Sequence, residues 1–298
     1  PVFECMLADD SKKHEKKMTG DVYVEPKLDG VRVITICDVD KDEVKMFSRN
    51  GKELLNFPKI LEQFDSMLDQ MAESMVFDGE IMSDDFQTLM REIHRKGGAK
   101  TDDAVLNIFD IIPLWAFKEG GYSASLQTRK EMMDEYEYPS NISKVEYVKM
   151  NLSDDDGQKQ FADYNKLCID KGFEGIMVKP MSGPYECKRS SLWLKVKPFI
   201  EVSLKVVDTE EGTGRNAGKL GALIVEGTDM DKFIKTNVGS GLTDTDRETF
   251  WKAKDKLIGQ IVEVRADAIT QNQETTDSWS LRFPRFLRFR GFEPGEKL

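Results

Sequence analysis

The pattern of hydrophobic and polar positions predicts a strand-rich first two thirds of the chain. β-branched and aromatic residues are concentrated in eight strand-like segments, at 22–27, 32–39, 43–48, 75–82, 104–112, 145–150, 174–179 and 192–197. Apolar residues at helical spacing predict four helices, at 58–74 and at about 84–95, 125–136 and 156–171. Several of the strands succeed one another too closely for helical crossovers. The sequence therefore predicts an α+β fold of mixed, largely antiparallel sheets with helices.

The pattern changes after Pro198, where short strands separated by glycine-rich turns predominate. Strands are expected at 202–207, 222–226, 233–238 and 261–266, with a helix at 246–257. Thr245 and Glu248 have the spacing of a capping box at the start of that helix. This arrangement is typical of a five-stranded Greek-key barrel of OB type. We therefore expect a first domain at 1–198 and an OB-fold domain at 199–298.

Composition and charge exclude several classes of protein. The 298 residues carry a net charge of −11, from 43 Lys+Arg and 54 Asp+Glu, which excludes a broadly basic DNA-coating protein. Of this charge, −9 falls on residues 1–200, which hold 28 Lys+Arg and 37 Asp+Glu. No apolar run is long enough to cross a membrane and no secretory signal opens the chain, so we expect no membrane partner and a cytoplasmic location.

Histidine and cysteine are both scarce, which limits the chemistry available to an enzyme. The four cysteines form no C-x-x-C pair, so a disulfide scaffold and a cysteine zinc site are not expected. The two histidines, His14 and His94, lie in polar segments rich in Lys and Arg. Neither the P-loop pattern nor the Rossmann glycine pattern is present. Any catalysis has to depend on lysine, arginine and carboxylate side chains.

Three short motifs at strand ends carry such side chains. Lys27 follows a hydrophobic strand and precedes Asp29-Gly30, so it is a candidate nucleophile, although a hairpin turn with a solvated lysine gives the same pattern. Asp78-Gly79-Glu80 is compatible with a turn, and Glu174 with an exposed acidic loop. The residues alone leave these alternatives open.

A fourth motif favours anion binding. Lys195 and Lys197 are two residues apart in a predicted strand, so they share one face with Trp193. Two like charges on one strand face are unfavourable unless they bind an anion. Together with a lone lysine and two separated glutamates, they suit nucleotidyl transfer, in which carboxylates hold a divalent metal and cations bind phosphates.

The motifs and their order closely resemble those of the ATP-dependent DNA ligases, a branch of the covalent nucleotidyltransferase superfamily. The motifs that carry the resemblance are Cys5-Met-Leu-Ala8, Lys27-Leu-Asp-Gly30 with Arg32, Ser48-Arg49-Asn-Gly51, Asp78-Gly-Glu80, Phe109-Asp110, Glu174-Gly-Ile-Met-Val-Lys179 and Lys195-Val-Lys197. They extend over nearly the whole chain. The resemblance implies that 1–198 is the adenylylation domain.

The resemblance implies a reaction and a role for each motif residue. Lys27 attacks the α-phosphate of ATP, AMP then passes to the 5′-phosphate of a nick, and the 3′-hydroxyl displaces AMP. The implied nucleotide-binding residues are Lys27 and Leu28, Glu25 and Pro26 at the base edge, Arg32 and Arg49 at ribose and phosphates, Glu80 at the ribose, Phe109 on adenine, Arg189 at a phosphate, and Lys195 and Lys197 at the α-phosphate. Glu80 and Glu174 would bind Mg²⁺ or Mn²⁺.

The two ends of the chain resemble the compact ligases of bacteriophages. The Met-Leu-Ala motif begins at residue 5, which indicates either a compact enzyme or a trimmed chain, and Arg290-Gly-Phe-Glu293 replaces the Arg-x-Asp-Lys ending of cellular ligases. The closing basic and aromatic run predicts DNA contacts by four arginines, Arg282, Arg285, Arg288 and Arg290. The expected partner is nicked double-stranded DNA, bound by a monomer. A phage origin would place the enzyme in the host cytoplasm.

Three other functions are compatible with parts of the sequence. An mRNA-capping guanylyltransferase and an RNA ligase share the Lys-x-Asp-Gly plan. A non-catalytic OB-type single-strand binder would account for the interleaved Arg and Phe of the C-terminal run, but not for Lys27, Glu80 and Glu174. The segment 94–100 (HRKGGAK) is either a DNA-contacting loop or a solvated basic turn.

Overall fold

Two compact units make up the chain in the computed structural model, Pro1–Val196 and Lys197–Leu298. The structure describes residues 3–82, 104–272 and 277–291. The predicted helix near 84–95 and the basic segment 94–100 lie outside the described residues. The first unit ends two residues before position 198, where the sequence analysis placed the end of the first domain. In the part of the chain that is described, the longest apolar helical stretch falls short of a membrane span.

The first unit contains twelve described strands and four described helices. The strands are β1 Leu7–Asp10, β2 Asp21–Pro26, β3 Val31–Asp38, β4 Glu43–Phe47, β5 Met75–Met82, β6 Val105–Pro113, β7 Gly121–Tyr122, β8 Ile142–Lys144, β9 Val148–Asn151, β10 Ile176–Pro180, β11 Tyr185–Glu186 and β12 Arg189–Val196. The helices are α1 Pro58–Met67, α2 Leu114–Glu119, α3 Leu126–Asp134 and α4 Asp155–Asp170.

Two five-stranded sheets form the framework of the first unit. The first sheet has the order β1-β12-β10-β2-β9 and the second sheet has the order β4-β3-β5-β6-β8, while β7 and β11 pair separately. Only β1 with β12 and β6 with β8 are parallel; the other pairs in these sheets are antiparallel. The predicted fold class, mixed and largely antiparallel sheets with helices, is confirmed.

Both faces of the second sheet are buried, which explains its nearly continuous hydrophobic runs. Val33 and Phe77 pack with the apolar face of α1, whereas Ile34 and Val76 pack in a different cluster with Trp193 of the first sheet. The alternation follows from the two-residue period of a strand. The cluster shared by the two sheets also contains Phe109, so it underlies the predicted nucleotide site.

The helix predicted over 58–74 is shorter in the structure. α1 ends at Met67, and residues Leu68–Gln70 form a 3₁₀ turn instead. Leu68 and Met71 remain buried, so the apolar spacing continues through a tighter turn. Burial of Ile60, Phe64 and Met67 stabilises the packing of α1 by roughly 1.5–3 kcal/mol for each side chain.

Two turns expected as the simpler alternatives are absent from the described chain. β2 belongs to the first sheet and β3 to the second, so Asp29-Gly30 connects two sheets and is not a hairpin turn. Asp78-Gly79-Glu80 lies inside β5. An ideal Cβ at Gly79 would lie 2.4 Å from the Asn107 carbonyl oxygen, so the irregular pairing of β5 with β6 requires glycine there.

The second unit contains seven strands and two short helices among its described residues. The strands are β13 Ile200–Glu211, β14 Leu220–Asp229, β15 Lys232–Val238, β16 Ile261–Ala266, β17 Ala268–Gln271, β18 Trp279–Arg282 and β19 Arg285–Gly291, and the helices are α5 Asp244–Lys252 and α6 Lys254–Leu257. They form one sheet with the order β17-β18-β15-β14-β13-β16-β19. The predicted strand count of five is therefore too low, because three separate strands, β17, β18 and β19, follow β16.

The capping box of α5 lies two residues before the predicted one. Thr243 Oγ1 accepts the backbone N–H of Asp246 at 3.0 Å, and Asp246 Oδ2 accepts the backbone N–H of Thr243 at 3.0 Å. The sequence prediction of Thr245 with Glu248 was wrong because the segment contains two overlapping Thr-x-x-acid patterns. Asp246 closes the box in place of the more usual Glu.

A carboxylate in the second unit gives a testable acid dependence. Glu201 Oε1 accepts a hydrogen bond from Arg265 Nη2 at 2.7 Å, and Glu201 Oε2 accepts one from Lys197 Nζ at 3.0 Å. Burial raises the pKa of Glu201, but the two cations outweigh it and lower the pKa from 4.5 to about 2.

Because the folded pKa of Glu201 is depressed, its contribution to stability is present above pH 4.5 and is lost as pH falls towards 2. We expect Glu201→Gln to lower the free energy of unfolding of the second unit at pH 7 and to flatten its pH dependence between these limits. Urea titrations at several pH values measure this. A variant with the wild-type acid dependence would contradict the assignment, and Glu210→Gln, at an exposed position, is the control.

Candidate active site

Lys27 lies at the end of β2, where the chain leaves the first sheet. Its backbone N–H donates to the carbonyl of Gly175 at 2.9 Å, which fixes this turn against the segment that precedes β10. Its Nζ donates to Glu174 Oε2 at 3.0 Å, and both side chains are largely buried, at 19% and 14% exposure. Lys27 is therefore not a solvated surface lysine, and Glu174 is not an exposed loop residue.

Glu80 comes to the same site from β5. Its Oε2 accepts the backbone N–H of Gly30 at 3.1 Å, and an ideal Cβ at Gly30 would lie 2.3 Å from the Ile81 carbonyl oxygen. Glycine is therefore required for the close approach of Lys27–Gly30 to β5. Burial raises the pKa of Glu80, although the positive charges of Lys27 and Arg32 act in the opposite direction.

Arg32, on β3, is held by a carboxylate that the sequence analysis did not assign to it. Its Nε and Nη2 donate to the two carboxylate oxygens of Asp78 at 2.5 and 2.6 Å, and its Nη2 also donates to the Met6 carbonyl at 2.7 Å. Tyr185 Oη donates to Asp78 at 2.6 Å. Although burial favours the neutral form, the Asp78 charge keeps the pKa of Arg32 well above its ordinary value. Arg32 is thus a rigid, permanently charged group.

Phe109 lies at the centre of an aromatic and cationic cluster. Its ring is 5.7 Å from the ring of Trp193 in an edge-to-face arrangement, and 5.2 Å from the guanidinium carbon of Arg32. Lys179 Nζ lies 4.4 Å from the Phe109 ring centroid and 4.2 Å from that of Trp193. Phe109 is 8% exposed. Its predicted stacking on adenine stays a prediction.

Glu25 forms a buried charge cluster with two lysines. Its Oε1 accepts a hydrogen bond from Lys130 Nζ and its Oε2 accepts one from Lys179 Nζ at 2.8 Å. Lys130 also donates to the carbonyl of Phe109 at 2.9 Å. Burial raises the pKa of Glu25, but the two ammonium groups outweigh it and lower that pKa, whereas burial lowers the pKa of Lys179. Both Glu25 oxygens thus already have partners.

Lys130 and Lys179 were missed as site residues by the sequence analysis. Lys179 ends the Glu174–Lys179 motif, so its position in that motif was the available signal. Lys130 lies on α3, far from the motifs along the chain, and no local pattern marked it. Beside it on α3, Arg129 donates to both oxygens of Asp110 at 2.7 and 3.0 Å. α3 therefore fixes both the Phe109 backbone and Glu25.

Three other predicted nucleotide-binding residues of the first unit lie close to these side chains along the chain or in the sheet. Pro26 pairs with Ile176 in the first sheet, and Leu28 packs against the cluster that contains Phe109. Arg49 is half-buried, and its carbonyl accepts a weak hydrogen bond from the thiol of Cys5 at 3.9 Å. Their roles in nucleotide binding stay predictions.

β12 carries two more of the predicted cations. Lys195 pairs with Met177 of β10 and with Asp10 of β1. Arg189 is exposed, and its Nη1 donates to the carbonyl of Ala8 at 2.6 Å, so it helps to hold β1 against β12. Trp193 is buried between the aromatic rings of Phe109 and Tyr185.

Lys197 does not lie on the same strand as Lys195. β12 ends at Val196, and Lys197 belongs to the second unit, where its Nζ contacts Glu201 and lies 5.4 Å from the Phe199 ring centroid. The strand predicted at 192–197 therefore ends one residue earlier than expected, and Lys195 and Lys197 do not share it.

The four C-terminal arginines differ in their surroundings. Arg282 is exposed, with its guanidinium carbon 5.5 Å from the Phe283 ring centroid, and Arg285 forms an ion pair with Asp267 at 3.0 Å. Arg288 and Arg290 both contact the buried carboxylate of Glu263, at 3.0 and 2.9 Å. Their predicted DNA contacts stay predictions.

The carboxylates beside Lys27 can supply only some of the ligands of a metal ion. Among the residues that the structure describes, no group of three or more His, Cys, Asp or Glu side chains is placed to hold a metal ion. Glu80 and Glu174 supply hard oxygen donors beside Lys27. Such a donor set suits Mg²⁺, which is usually held by one or two carboxylates and completed by phosphate oxygens and water.

Comparison with known protein families identifies both parts of the chain. Residues 5–197 match the family model of the ATP dependent DNA ligase domain, and residues 211–290 match that of the DNA ligase OB-like domain. The chain is 31% identical over 294 residues to the DNA ligase of Haloarcula marismortui, covering 90% of this chain and 51% of that protein. It is 28% identical over 303 residues to the DNA ligase of Thermococcus fumicolans, covering 92% and 52%.

Solved structures are similar over nearly the whole chain. The structure named Pmar-Lig_PreS3 is 45% identical with a TM-score of 0.64, covering 97% of this chain and 68% of that chain. The ATP-dependent DNA ligase from bacteriophage T7 in complex with ATP has the same fold, with a TM-score of 0.52 at 18% identity, covering 97% and 99%. The chain spans about half the length of the curated relatives it matches. The match over 5–197 confirms the resemblance of the motifs: the chain belongs to the ATP-dependent DNA ligase family.

Proposed function

We propose that this chain is an ATP-dependent DNA ligase that seals nicks in duplex DNA, with Lys27 as the residue that carries AMP. The observation that carries the proposal is the position of Lys27, at the end of β2 with its ammonium 3.0 Å from Glu174. Lys27 and Arg32 both lie close enough to Glu80 for their positive charges to lower its pKa. A lysine enclosed by two carboxylates and a fixed guanidinium suits attack on a phosphate.

The reaction has three steps. The amine of Lys27 attacks the α-phosphorus of ATP, an N–P bond forms, the bond to the β-phosphate oxygen breaks, and pyrophosphate leaves. The 5′-phosphate at a nick then attacks the lysyl-AMP phosphorus and releases the Lys27 amine. Finally the 3′-hydroxyl attacks the 5′-phosphorus, a phosphodiester forms, and AMP leaves with the electron pair.

Glu174 and Arg32 have separable tasks in the first step. Lys27 has to lose a proton before it attacks, and the Glu174 carboxylate, which accepts a hydrogen bond from its Nζ at 3.0 Å, orients the amine. Arg32 keeps its charge because Asp78 holds it, so it can stabilise negative charge that develops on the phosphates. Mg²⁺ or Mn²⁺, held by Glu80 and Glu174 together with phosphate oxygens of the nucleotide, would supply positive charge that favours the neutral amine of Lys27.

The adenine base is expected beside Phe109. The ring is fixed from one side by Lys179 and Trp193, and its backbone carbonyl is fixed by Lys130. Glu25 holds both lysines, so we infer that it positions this platform instead of contacting the base edge through its carboxylate. We expect the chain to act as a monomer on nicked duplex DNA.

Label transfer and strand sealing test the proposal directly. Incubation with ATP labelled in the α-phosphate is expected to give a covalent AMP adduct on Lys27, located by peptide mapping. Nicked DNA with a labelled 5′-phosphate is expected to be sealed with ATP and not with NAD. A covalent GMP adduct formed in place of AMP would favour a guanylyltransferase, and sealing confined to RNA would favour an RNA ligase.

A further inference from the structure

We propose that the first unit has a second contact for DNA: a basic surface that binds the phosphates of the duplex away from the reacting strand ends. This lysine surface consists of Lys12, Lys13, Lys16 and Lys17, together with Lys188 and with Arg189, which the family resemblance places at a nucleotide phosphate and which the tests below leave unchanged. All six side chains are exposed. The proposal rests on the proposed ligase function, and none of the four lysines at 12–17 belongs to a motif that the family resemblance uses.

Two distant segments of the chain form the lysine surface. The 3₁₀ turns Ser11–Lys13 and Glu15–Lys17 follow β1 directly, and each places two lysines in its last turn. β1 runs parallel to β12, with Leu7 paired to Arg189. Lys17 Nζ donates to Ser191 Oγ of β12, which joins the second turn to the strand that carries Arg189. The cations at 12–17 and 188–189 therefore share one edge of the first sheet.

The carboxylates in these segments do not balance the cations. Four carboxylates lie there, those of Asp9, Asp10, Glu15 and Glu186. Asp9 contacts His14 at 2.8 Å and Lys13 at only 4.0 Å, Asp10 accepts the backbone N–H of Lys12 at 2.9 Å, and Glu186 contacts Lys188 at 3.8 Å. Within the ranges 3–82, 104–272 and 277–291, no ion pair is formed by the ammonium groups of Lys12 and Lys16.

The local charge is opposite to that of the rest of the unit. Residues 1–200 carry −9, whereas the segments 9–17 and 186–191 together hold six Lys/Arg and four Asp/Glu. Lysines placed this close together repel one another, and an anion relieves that repulsion. A surface of this kind concentrates phosphate contacts at one place while the acidic remainder repels DNA elsewhere.

The position of the lysine surface indicates duplex DNA as its occupant. Asp10, the last residue of β1, pairs with Lys195, and the first of the two lysine-bearing turns begins at the next residue. The surface therefore begins one residue beyond the strand partner of Lys195, a predicted phosphate-binding residue of the active site. A duplex whose nick lies in the active site extends beyond the reacting ends on both sides. Its backbone phosphates can then contact cations on the lysine surface.

The chemistry of the surface predicts contacts without sequence preference. Lysine ammonium groups are mobile point charges that donate hydrogen bonds and accept none, so they bind phosphates and do not distinguish bases. None of the large exposed hydrophobic side chains of the described residues lies between 9 and 17 or between 186 and 191, which leaves nothing for an unpaired base to stack on. The surface is thus suited to the outside of a duplex.

Salt-dependent DNA binding tests the proposal. A variant with Lys12→Gln, Lys13→Gln, Lys16→Gln and Lys17→Gln is expected to bind a nicked duplex at least about tenfold more weakly at low salt. The slope of log K against log salt, measured between about 50 and 200 mM, is expected to fall by about 1 for each lysine that contacts a phosphate. An unchanged slope would overturn the proposal.

Two control variants separate charge from folding and from general electrostatics. Replacing the same four lysines by arginine keeps the charge and is expected to retain the wild-type slope. A variant with Lys59→Gln, Lys118→Gln, Lys159→Gln and Lys166→Gln removes four exposed lysines elsewhere in the first unit and is expected to leave the slope unchanged within about 0.5. An equal loss in this control would mean that net charge alone is responsible and would overturn the proposal.

The failure of this inference is distinguishable from the failure of the proposed function. Formation of lysyl-AMP from ATP needs no DNA, so the glutamine variant of the lysine surface is expected to form it at the wild-type rate. If the wild-type chain forms no lysyl-AMP, the proposed function fails, whatever the DNA binding shows. If it forms lysyl-AMP and the salt slopes of wild type and variant are equal, only the lysine surface is wrong.

Discussion

Lys27→Ala is expected to lower the rate of lysyl-AMP formation by about 10⁴-fold or more, because it removes the only atom that forms the covalent bond to phosphorus. The side chain is largely buried, and its ammonium contacts Glu174. The measurement is transfer of label from α-labelled ATP to the protein, followed over hours. A labelled AMP adduct on the alanine variant at the wild-type rate would contradict the assignment of Lys27.

The same substitution is expected to spare the last step of the reaction. Sealing of a nick that already carries AMP on its 5′-phosphate does not use the Lys27 amine as a nucleophile. We expect the alanine variant to seal this substrate within about tenfold of the wild-type rate. Loss of both activities by the same factor would show that Lys27 acts by holding the fold of the site, and not as the AMP carrier.

Two further variants define the chemistry that Lys27 supplies. Lys27→Arg keeps a positive charge next to Glu174, but a guanidinium stays protonated in proteins and cannot attack. We therefore expect Lys27→Arg to be as inactive as Lys27→Ala in lysyl-AMP formation and to be at least as stable as Lys27→Ala. Lys59→Ala, at an exposed position on α1, is the matched control and is expected to retain full activity.

The motif residues themselves could be predicted from the sequence, whereas several of the side chains that they contact could not. Lys27, Glu80 and Glu174 each lie in a motif of fixed local spacing, and the structure places Lys27 Nζ 3.0 Å from Glu174 Oε2. Asp78 was visible in the same motif as Glu80, but its pairing with Arg32 depends on the register of β3 against β5. That register is a tertiary property.

Periodicity failed where two overlapping solutions fit the same residues. The apolar spacing of α1 continues through Met71, yet the chain tightens into a 3₁₀ turn after Met67, because Leu68 and Met71 reach the same core either way. Thr243 and Thr245 both precede an acid by three residues, and only the first forms a cap. Lys130 could not be found at all, since nothing near it on α3 indicates that it reaches Glu25.

The largest effect on stability is expected from Glu25→Gln. Glu25, Lys130 and Lys179 are only 2%, 1% and 2% exposed, so they form a buried cluster of one negative and two positive groups. Removing the carboxylate leaves two ammonium groups without a counter-charge, which costs about 3–5 kcal/mol. The free energy of opening of the first unit, read by hydrogen exchange in β2 and β10, measures this loss.

Lys179→Met is expected to cost much less than Glu25→Gln. It removes one of the two positive groups and leaves Glu25 paired with Lys130, so the buried cluster becomes neutral. Burial already lowers the pKa of Lys179, which means that the folded protein disfavours its charged form. Because the folded pKa is below the unfolded one, the unfolded chain binds more protons between them, and stability rises with pH in that window. Lys179→Met is expected to remove this rise.

The double variant Glu25→Gln, Lys179→Met gives the sharpest test, because the sign of the second substitution is expected to reverse. In the wild-type background Lys179→Met removes a hydrogen-bonded partner of Glu25 and destabilises the first unit. In the Glu25→Gln background it removes one of two mutually repelling buried charges, so it is expected to restore part of the lost stability. Additive losses in the double variant would contradict the charge cluster as the cause.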